Sequence, residues 1–251
     1  WGVASIVLIV FGWLSGCNFR LAGKDWGVVF LLSLLRAVTS FSLIIAYQNI
    51  ASGVASTIHF MYPLAVALAM MFFFREKKSL LVILAVLMSL LGAALLSLGE
   101  LEAKSGNTMV GLVAACVSVF SYAGYIVGVR TTRAVQINST ALTCYVMGLG
   151  TIFYLIGAYC TSGLQLVSDG YTWLIILGLA LPATAISNIT LVQAIKYAGP
   201  TLTSILGAME PLTAVVIGVF VFKELFTVNS AVGIILILLA VSIVVFRRQK
   251  S

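Results

Sequence analysis

Charge is what this chain lacks. Lys, Arg, Asp and Glu make up 8% of its 251 residues, against 62% hydrophobic residues. A soluble domain carries roughly 25% charged residues, so an ordinary soluble fold is excluded. Histidine is nearly absent as well. The single His rules out a zinc-hydrolase pattern such as HExxH, and Asp25 and Asp169 both fall in loops, so no pair of intramembrane aspartates exists. These gaps argue against an intramembrane enzyme. No GxxxxGK[ST] string is present, which leaves no ATP site to drive a pump. The four cysteines, Cys17, Cys116, Cys144 and Cys160, show neither CxxC nor metal spacing and are expected to be small buried apolar residues. No cofactor and no metal are expected. Alternation with period two is missing too, which excludes a membrane barrel.

What the chain has is apolar runs of the length a helix needs to cross hydrocarbon. Nine spans are expected, at roughly 1–16, 26–49, 53–74, 79–98, 108–129, 139–161, 171–195, 200–222 and 229–246. The class is an all-α polytopic membrane protein. Its net charge of +7 then reads as basic residues held on the cytoplasmic side, not as a nucleic-acid footprint. Taking alternate loops, one side holds Arg20, Lys24, Arg75, Lys77, Lys78, Arg130, Arg133, Lys196, Arg247, Arg248 and Lys250. The other holds only Lys104 and Lys223, together with Glu100, Glu102, Asp169 and Glu224. By the positive-inside rule the first side and the C-terminus are cytoplasmic.

A repeat organises the spans. Ala46 to Glu76 recurs at Ala194 to Glu224 without a gap, at a constant offset of 148 residues, with Ser56/Ser204, Met61/Met209, Pro63/Pro211 and Glu76/Glu224 among the identities. The first copy ends at the cytoplasmic "REKK" (Arg75 to Lys78), the second at the opposite side at "KE" (Lys223, Glu224). Matched helices therefore run in opposite directions, which requires an odd number of spans per repeat, and the count is five. Two domains are expected: a first repeat at 1–98 with four helices and a second at 108–246 with five. The expected fold is a 5+5 inverted repeat whose first helix is missing from this sequence. Inverted repeats belong mostly to transporters, whose substrate site lies between the halves.

The string "EPLTAVVIGVFVFKE" (Glu210 to Glu224), preceded by "AIKYAGPTLTSIL", resembles the second signature helix of the EamA branch of the drug/metabolite transporter superfamily. "YPLAVALAMMFFFREK" (Tyr62 to Lys77) is similar to its first-repeat counterpart. The resemblance covers nearly the whole chain. It implies a ten-helix inverted-repeat carrier in the plasma (inner) membrane, working on small metabolites by alternating access, often in export of amino acids or related compounds. One departure stands out: Tyr62 and "FRE" (Phe74 to Glu76) occupy positions where many members have small or apolar residues and a "GE" ending.

Few residues can carry transport chemistry. An ionisable group inside a span costs about 2.5–3.5 kcal/mol on insertion scales, so it usually faces a cavity or a partner. Arg36, His59 and Glu210 qualify. Ser33, Arg36, Ser40 and Tyr47 fall within a sector of about 60° on their helix and form one polar stripe. By the offset, Arg36 maps to Thr184 and Ser40 to Asn188. A guanidinium at mid-depth suits a substrate carboxylate or phosphate; the alternative is a structural Arg paired with a helix C-terminus or with Glu210. Glu210 precedes Pro211, and Pro63 occupies the matched position, so both prolines are candidate helix breaks. Glu210 either serves that gating geometry or contacts substrate or proton. His59 is either a protonation site or a hydrogen-bonded interior residue. Tyr125, with Tyr122, Ser118 and Ser121, forms a polar-aromatic face that either lines a cavity or packs the core.

The sequence thus points to a secondary transporter whose partners are a small metabolite bearing a carboxylate and the lipid bilayer. Proton coupling stays open, with Glu210 and His59 as the plausible acceptors. The competing readings are a channel-like facilitator and a non-transporting membrane protein.

Overall fold

In hydrocarbon every backbone N–H and C=O has to find its partner within its own segment, so an apolar stretch of this length becomes a helix. The computed structural model describes residues 1–76, 80–97, 106–161, 169–207, 209–220 and 227–249. Its helices are α1 (Gly2–Leu14), α2 (Trp26–Asn49), α3 (Ser52–His59), α4 (Tyr62–Phe73), α5 (Leu80–Ser97), α6 (Thr108–Thr131), α7 (Ser139–Thr161), α8 (Gly170–Gly178), α9 (Ser187–Ala198), α10 (Pro200–Gly207), α11 (Met209–Phe220) and α12 (Val228–Gln249). Five helical stretches are long and apolar enough to cross a membrane: Gly23–Asn49, Ser52–Phe73, Thr108–Thr131, Ser139–Tyr159 and Gly170–Ala198. Shorter apolar helices cover Gly2–Leu14, Leu80–Leu95 and Ala231–Ile243. Their outward faces are apolar. Phe73 is 80% exposed and Leu80 87%, an arrangement that suits contact with lipid and not with water.

Two of the expected spans are not plain helices. The stretch read as 53–74 is divided after His59. There Phe60 N–H still bonds Ser56 O at 2.9 Å, but Met61 N–H turns to Ile58 O at 3.0 Å in a tighter turn. Pro63 follows in the first turn of α4, where its missing N–H costs nothing. The stretch 200–222 is covered by α10 and α11 as far as residue 220, with residue 208 between them outside the described residues. The stretch 171–195 contains a π-helical segment, Leu179–Ile186, with Pro182 inside it. A proline removes a backbone donor, and widening the helix by one residue per turn lets the ladder resume beyond it. Of the charged residues used for orientation, Lys77, Lys78, Glu100, Glu102, Lys104, Lys223, Glu224 and Lys250 lie outside the described residues, and only the backbone of Arg247 and Arg248 is described.

The chain divides into two compact units. The first comprises Trp1–Ala37 and Gly128–Gly199. Its core joins Ala4 and Leu8 of α1 to Cys144 of α7 and to Ala180 and Ala185 of the π-helical segment. Small side chains let α1 and α7 approach closely enough for Ser5 Oγ to donate to Cys144 O at 3.2 Å. Arg133 and Asp25 form an ion pair at 2.8 Å at one end of this unit. Lys196 is drawn inward there: it is buried, its Nζ donates to Ile137 O, and its own carbonyl accepts from Arg130 Nη1. Asp169 caps α8, accepting from the backbone N–H and the hydroxyl of Thr172, each at 3.0 Å. Those bonds stabilise the carboxylate and hold Asp169 below its usual pKa.

The second unit comprises Val38–Val127 and Pro200–Ser251. One part of its core gathers Ala67 and Met71 of α4, Val82, Ala85 and Val86 of α5, Ile205 of α10 and Ala240 of α12. Another gathers Ala46 and Ile50, Ala55, and Ala114 and Ala115 of α6. Helices α5 and α12 lie against each other, and a Cβ on Gly92 would stand 2.7 Å from Gly233 O and from the Ile237 side chain. Cys116 is exposed, contrary to the expectation of burial; Cys144 is buried, Cys17 is intermediate, and the side chain of Cys160 lies outside the described residues. The reason is helical phase. Cys116 sits on the face of α6 opposite Ala114, Ala115 and Ser118, where an apolar thiol meets lipid at no cost.

Candidate functional site

The candidate residues gather into clusters, and each cluster lies within one unit. In the first unit, α2 carries Arg36 at a half-buried position, and α9 carries Asn188, which is 5% exposed. Arg36 Nη2 donates to Asn188 Oδ1 at 3.3 Å. Asn188 in turn donates through Nδ2 to Thr184 O at 2.7 Å, back into the π-helical segment. This local bond fixes which end of the amide points at Arg36. The guanidinium carbon also stands 5.9 Å from the ring centroid of Trp1, within the reach of a cation–π contact. Trp1 is held edge-on against Tyr154 of α7 at 5.0 Å. An amide oxygen and an aromatic face are thus among the groups that locate Arg36.

In the second unit, the break between α3 and α4 places His59 and Tyr62 together. His59 Nδ1 lies 2.9 Å from Ser118 Oγ of α6, and the imidazole stacks on Tyr122 at 5.5 Å with an interplanar angle of 26°. Tyr62 stands 5.6 Å from His59 and meets Tyr122 edge-on at 4.6 Å. Tyr125 lies parallel to Tyr122, at 6.4 Å and 4°, and is 1% exposed. Tyr47 reaches Ser56 of α3 through its hydroxyl at 3.1 Å. Ser40 is half-buried on α2, but it is the neighbouring Thr39 that bonds Ser121, at 3.0 Å. Glu210 is exposed at the start of α11, while Pro63 and Pro211 are buried.

Some participants escape sequence reasoning. Trp1 comes to Arg36 only through tertiary packing, and no spacing signals it. Glu76, known from the sequence only as a repeat identity, accepts a hydrogen bond from Thr201 Oγ1 of α10 at 2.6 Å. Tyr62 was visible as an oddity at its repeat position, and the structure gives it a neighbour. Its hydroxyl lies where a Cβ on Gly207 would be, and Gly207 is the repeat counterpart of His59. Among the described residues no group of three His, Cys, Asp or Glu side chains could hold a metal ion.

Comparison with known proteins bears on the fold and the family. A protein of known crystal structure superposes with a TM-score of 0.83 over 100% of this chain and 86% of its own, at 18% identity, a likeness of fold. An uncharacterized transporter of Archaeoglobus fulgidus is 28% identical over 238 residues, covering 94% of this chain and 83% of that protein. The model of the EamA-like transporter family matches residues 1–98 and 109–246. With nearly all of its length matched, the chain belongs to the EamA-like transporter family, a family of multi-pass membrane transporters and not of enzymes.

Proposed function

We propose that this protein is a secondary carrier that exports a small carboxylate-bearing solute, amino acids included, by alternating access, with Arg36 as the carboxylate site. The observation that carries the reading is the bond from Arg36 to Asn188. An arginine within an apolar helix is retained at a cost, and here the Asn188 amide oxygen helps to orient it. A guanidinium so held can offer paired N–H donors to a carboxylate in fixed geometry. Absence of a nucleotide-binding string leaves a solute or ion gradient as the energy source.

The inverted-repeat reading supports the carrier mechanism. Helices α3 and α10 have the same length and begin 148 residues apart, and α5 and α12 also begin 148 residues apart. The proposal therefore keeps repeats at 1–98 and 108–246 inserted in opposite directions, with the C-terminus in the cytoplasm and the plasma membrane as the site of action. The break just before Pro63, and a second one expected near Pro211, would serve as the joints of the conformational exchange.

The reading is tested on purified protein by thermal shift with a panel of amino acids, each paired with its decarboxylated amine, such as alanine against ethylamine. Wild-type protein is expected to be stabilised by one or more amino acids and not by the matching amines, and Arg36→Ala to abolish the shift. Stabilisation that persists undiminished in Arg36→Ala would refute the carboxylate site.

A further inference from the structure

We infer that the first unit binds the head group of an anionic phospholipid at the end where α1 connects to α2 and α6 to α7, with Arg20, Lys24 and Arg133 holding the phosphate. The inference does not depend on which solute is carried. It comes from where the charges of this unit stand and from the aromatic residues beside them.

The connection from α1 to α2 carries Arg20, Lys24 and Asp25, and the one from α6 to α7 carries Arg133. Arg130 in the last turn of α6 and Lys196 near the end of α9 stand at the same end. At the opposite end of this unit the charged side chain among the described residues is Asp169. Two of the cations are committed to the fold. Arg130 Nη1 donates to Lys196 O, and Lys196 Nζ donates to Ile137 O. The single carboxylate of this end is committed as well: Asp25 Oδ1 accepts from Arg133 Nε at 2.8 Å and Oδ2 from Ala22 N–H at 3.3 Å. Three cationic heads remain at the surface. Arg20 and Lys24 are exposed, and their side chains bond no described residue. Arg133 is 52% exposed, and its pair with Asp25 uses Nε and leaves the two terminal nitrogens as donors.

These heads stand on a fixed frame. Tyr145 of α7 donates its hydroxyl to Phe19 O at 2.7 Å. The rings of Phe19 and Trp26 both meet the Tyr145 ring, at 6.4 and 5.5 Å. The Arg133–Asp25 pair then ties one connection to the other. A frame held in this way lowers the ordering cost of binding.

The flanks set the depth. Trp13, in the last turn of α1, is 79% exposed, and Trp26, which opens α2, is 47% exposed. Tryptophans exposed at the ends of membrane helices lie at the level of the lipid head groups. Arg20 and Lys24, between them in the chain, are therefore level with lipid phosphates, and exposed Leu14 and Phe30 are placed for the acyl chains. A phosphodiester supplies the negative charge that this end lacks, and a guanidinium can grip it through two parallel bonds. A soluble acidic partner would leave the apolar flanks without a use.

The test is a binding titration of the purified full chain in neutral detergent, with fluorescent short-chain phosphatidylglycerol or phosphatidylcholine at fixed ionic strength. Wild type should bind phosphatidylglycerol at least about tenfold more tightly than phosphatidylcholine. Arg20→Gln and Lys24→Gln should each weaken phosphatidylglycerol binding about fivefold, and the double variant should lose most of the preference. All three should unfold at the wild-type temperature, since the side chains removed bond no described residue. Arg75→Gln, which removes a cation of the second unit, should keep the preference. An equal loss in Arg75→Gln would mark a diffuse field in place of a site and overturn the inference, as would equal binding of the two lipids by wild type. Displacement of phosphatidylglycerol by millimolar inorganic phosphate, or by a soluble polyglutamate peptide, would also overturn it, because the ligand would then be a free anion or an acidic protein.

Discussion

The hydroxyl of Tyr62 occupies the space that a side chain at position 207 would need. Tyr62 opens α4, just after the turn that follows His59, and Gly207 is the last residue of α10. The two helices are thus packed together through one hydroxyl and one missing Cβ, and Tyr62 is 2% exposed. Gly207→Ala should force that contact apart and destabilise the protein by about 1–3 kcal/mol, the usual range for overpacking a filled site. Tyr62→Phe removes the offending oxygen, so the double variant should recover much of the loss. Unfolding midpoints of the four proteins in mild detergent complete the cycle, and strict additivity would contradict the contact.

Arg75 is the one non-glycine residue with positive φ among the described residues, at 55°. It closes α4 in a left-handed turn, with Phe74 N–H and Glu76 N–H both bonded to Met70 O, at 3.2 and 3.0 Å. This gives a physical reason for the "GE" ending of relatives where this chain has Arg75 and Glu76: the position asks for glycine. Arg75→Gly should stabilise the fold by about 1 kcal/mol, the cost of holding an L-residue in this region. Thermal unfolding of the variant measures it, and a lower midpoint would count against the strain.

Thr201 and Glu76 tie the start of α10 to the end of α4 by a 2.6 Å hydrogen bond. The carboxylate is exposed and the hydroxyl buried, so the bond is worth less than the 1.5–3 kcal/mol of a fully enclosed charged pair. Thr201→Val should cost about 1 kcal/mol with Glu76 present and little in a Glu76→Ala background, as read by thermal unfolding. Thr201→Ser should behave as wild type. Equal losses in the two backgrounds would remove any holding role from the bond.

Much of this was legible in the residues. The polar stripe of α2 and the 148-residue offset picked out Arg36 and Asn188, although as members of different matched pairs and not as partners. Pro63 marked the first break to within a few residues; the break falls just before it because proline is tolerated in a helix's first turn. The π-helical segment was not legible. Over eight residues the apolar pattern of "LALPATAI" fits either winding, and Pro182 alone does not say how the chain will accommodate it. Nor was the stacking of His59 on Tyr122, since the two residues lie on helices far apart in sequence and periodicity reports faces, not neighbours.

Asn188 offers the sharpest separation of charge from position. Its amide bonds Thr184 O at one end and Arg36 at the other. Asn188→Asp keeps the shape and the contact with Arg36 but places a negative charge there. At about 3 Å and an effective dielectric near 20 that attraction is about 5 kcal/mol before desolvation, enough to occupy the guanidinium. Asp has no N–H for Thr184 O, so the variant should be no more stable than wild type, and it should lose at least about tenfold in affinity for any carboxylate-bearing solute that wild type binds, a change of about 1.4 kcal/mol. Asn188→Leu removes the restraint instead, so it should weaken both stability and binding. Calorimetric titration beside thermal unfolding reads the two effects separately. If Asn188→Asp binds such a solute as wild type does, Arg36 is not where its carboxylate sits.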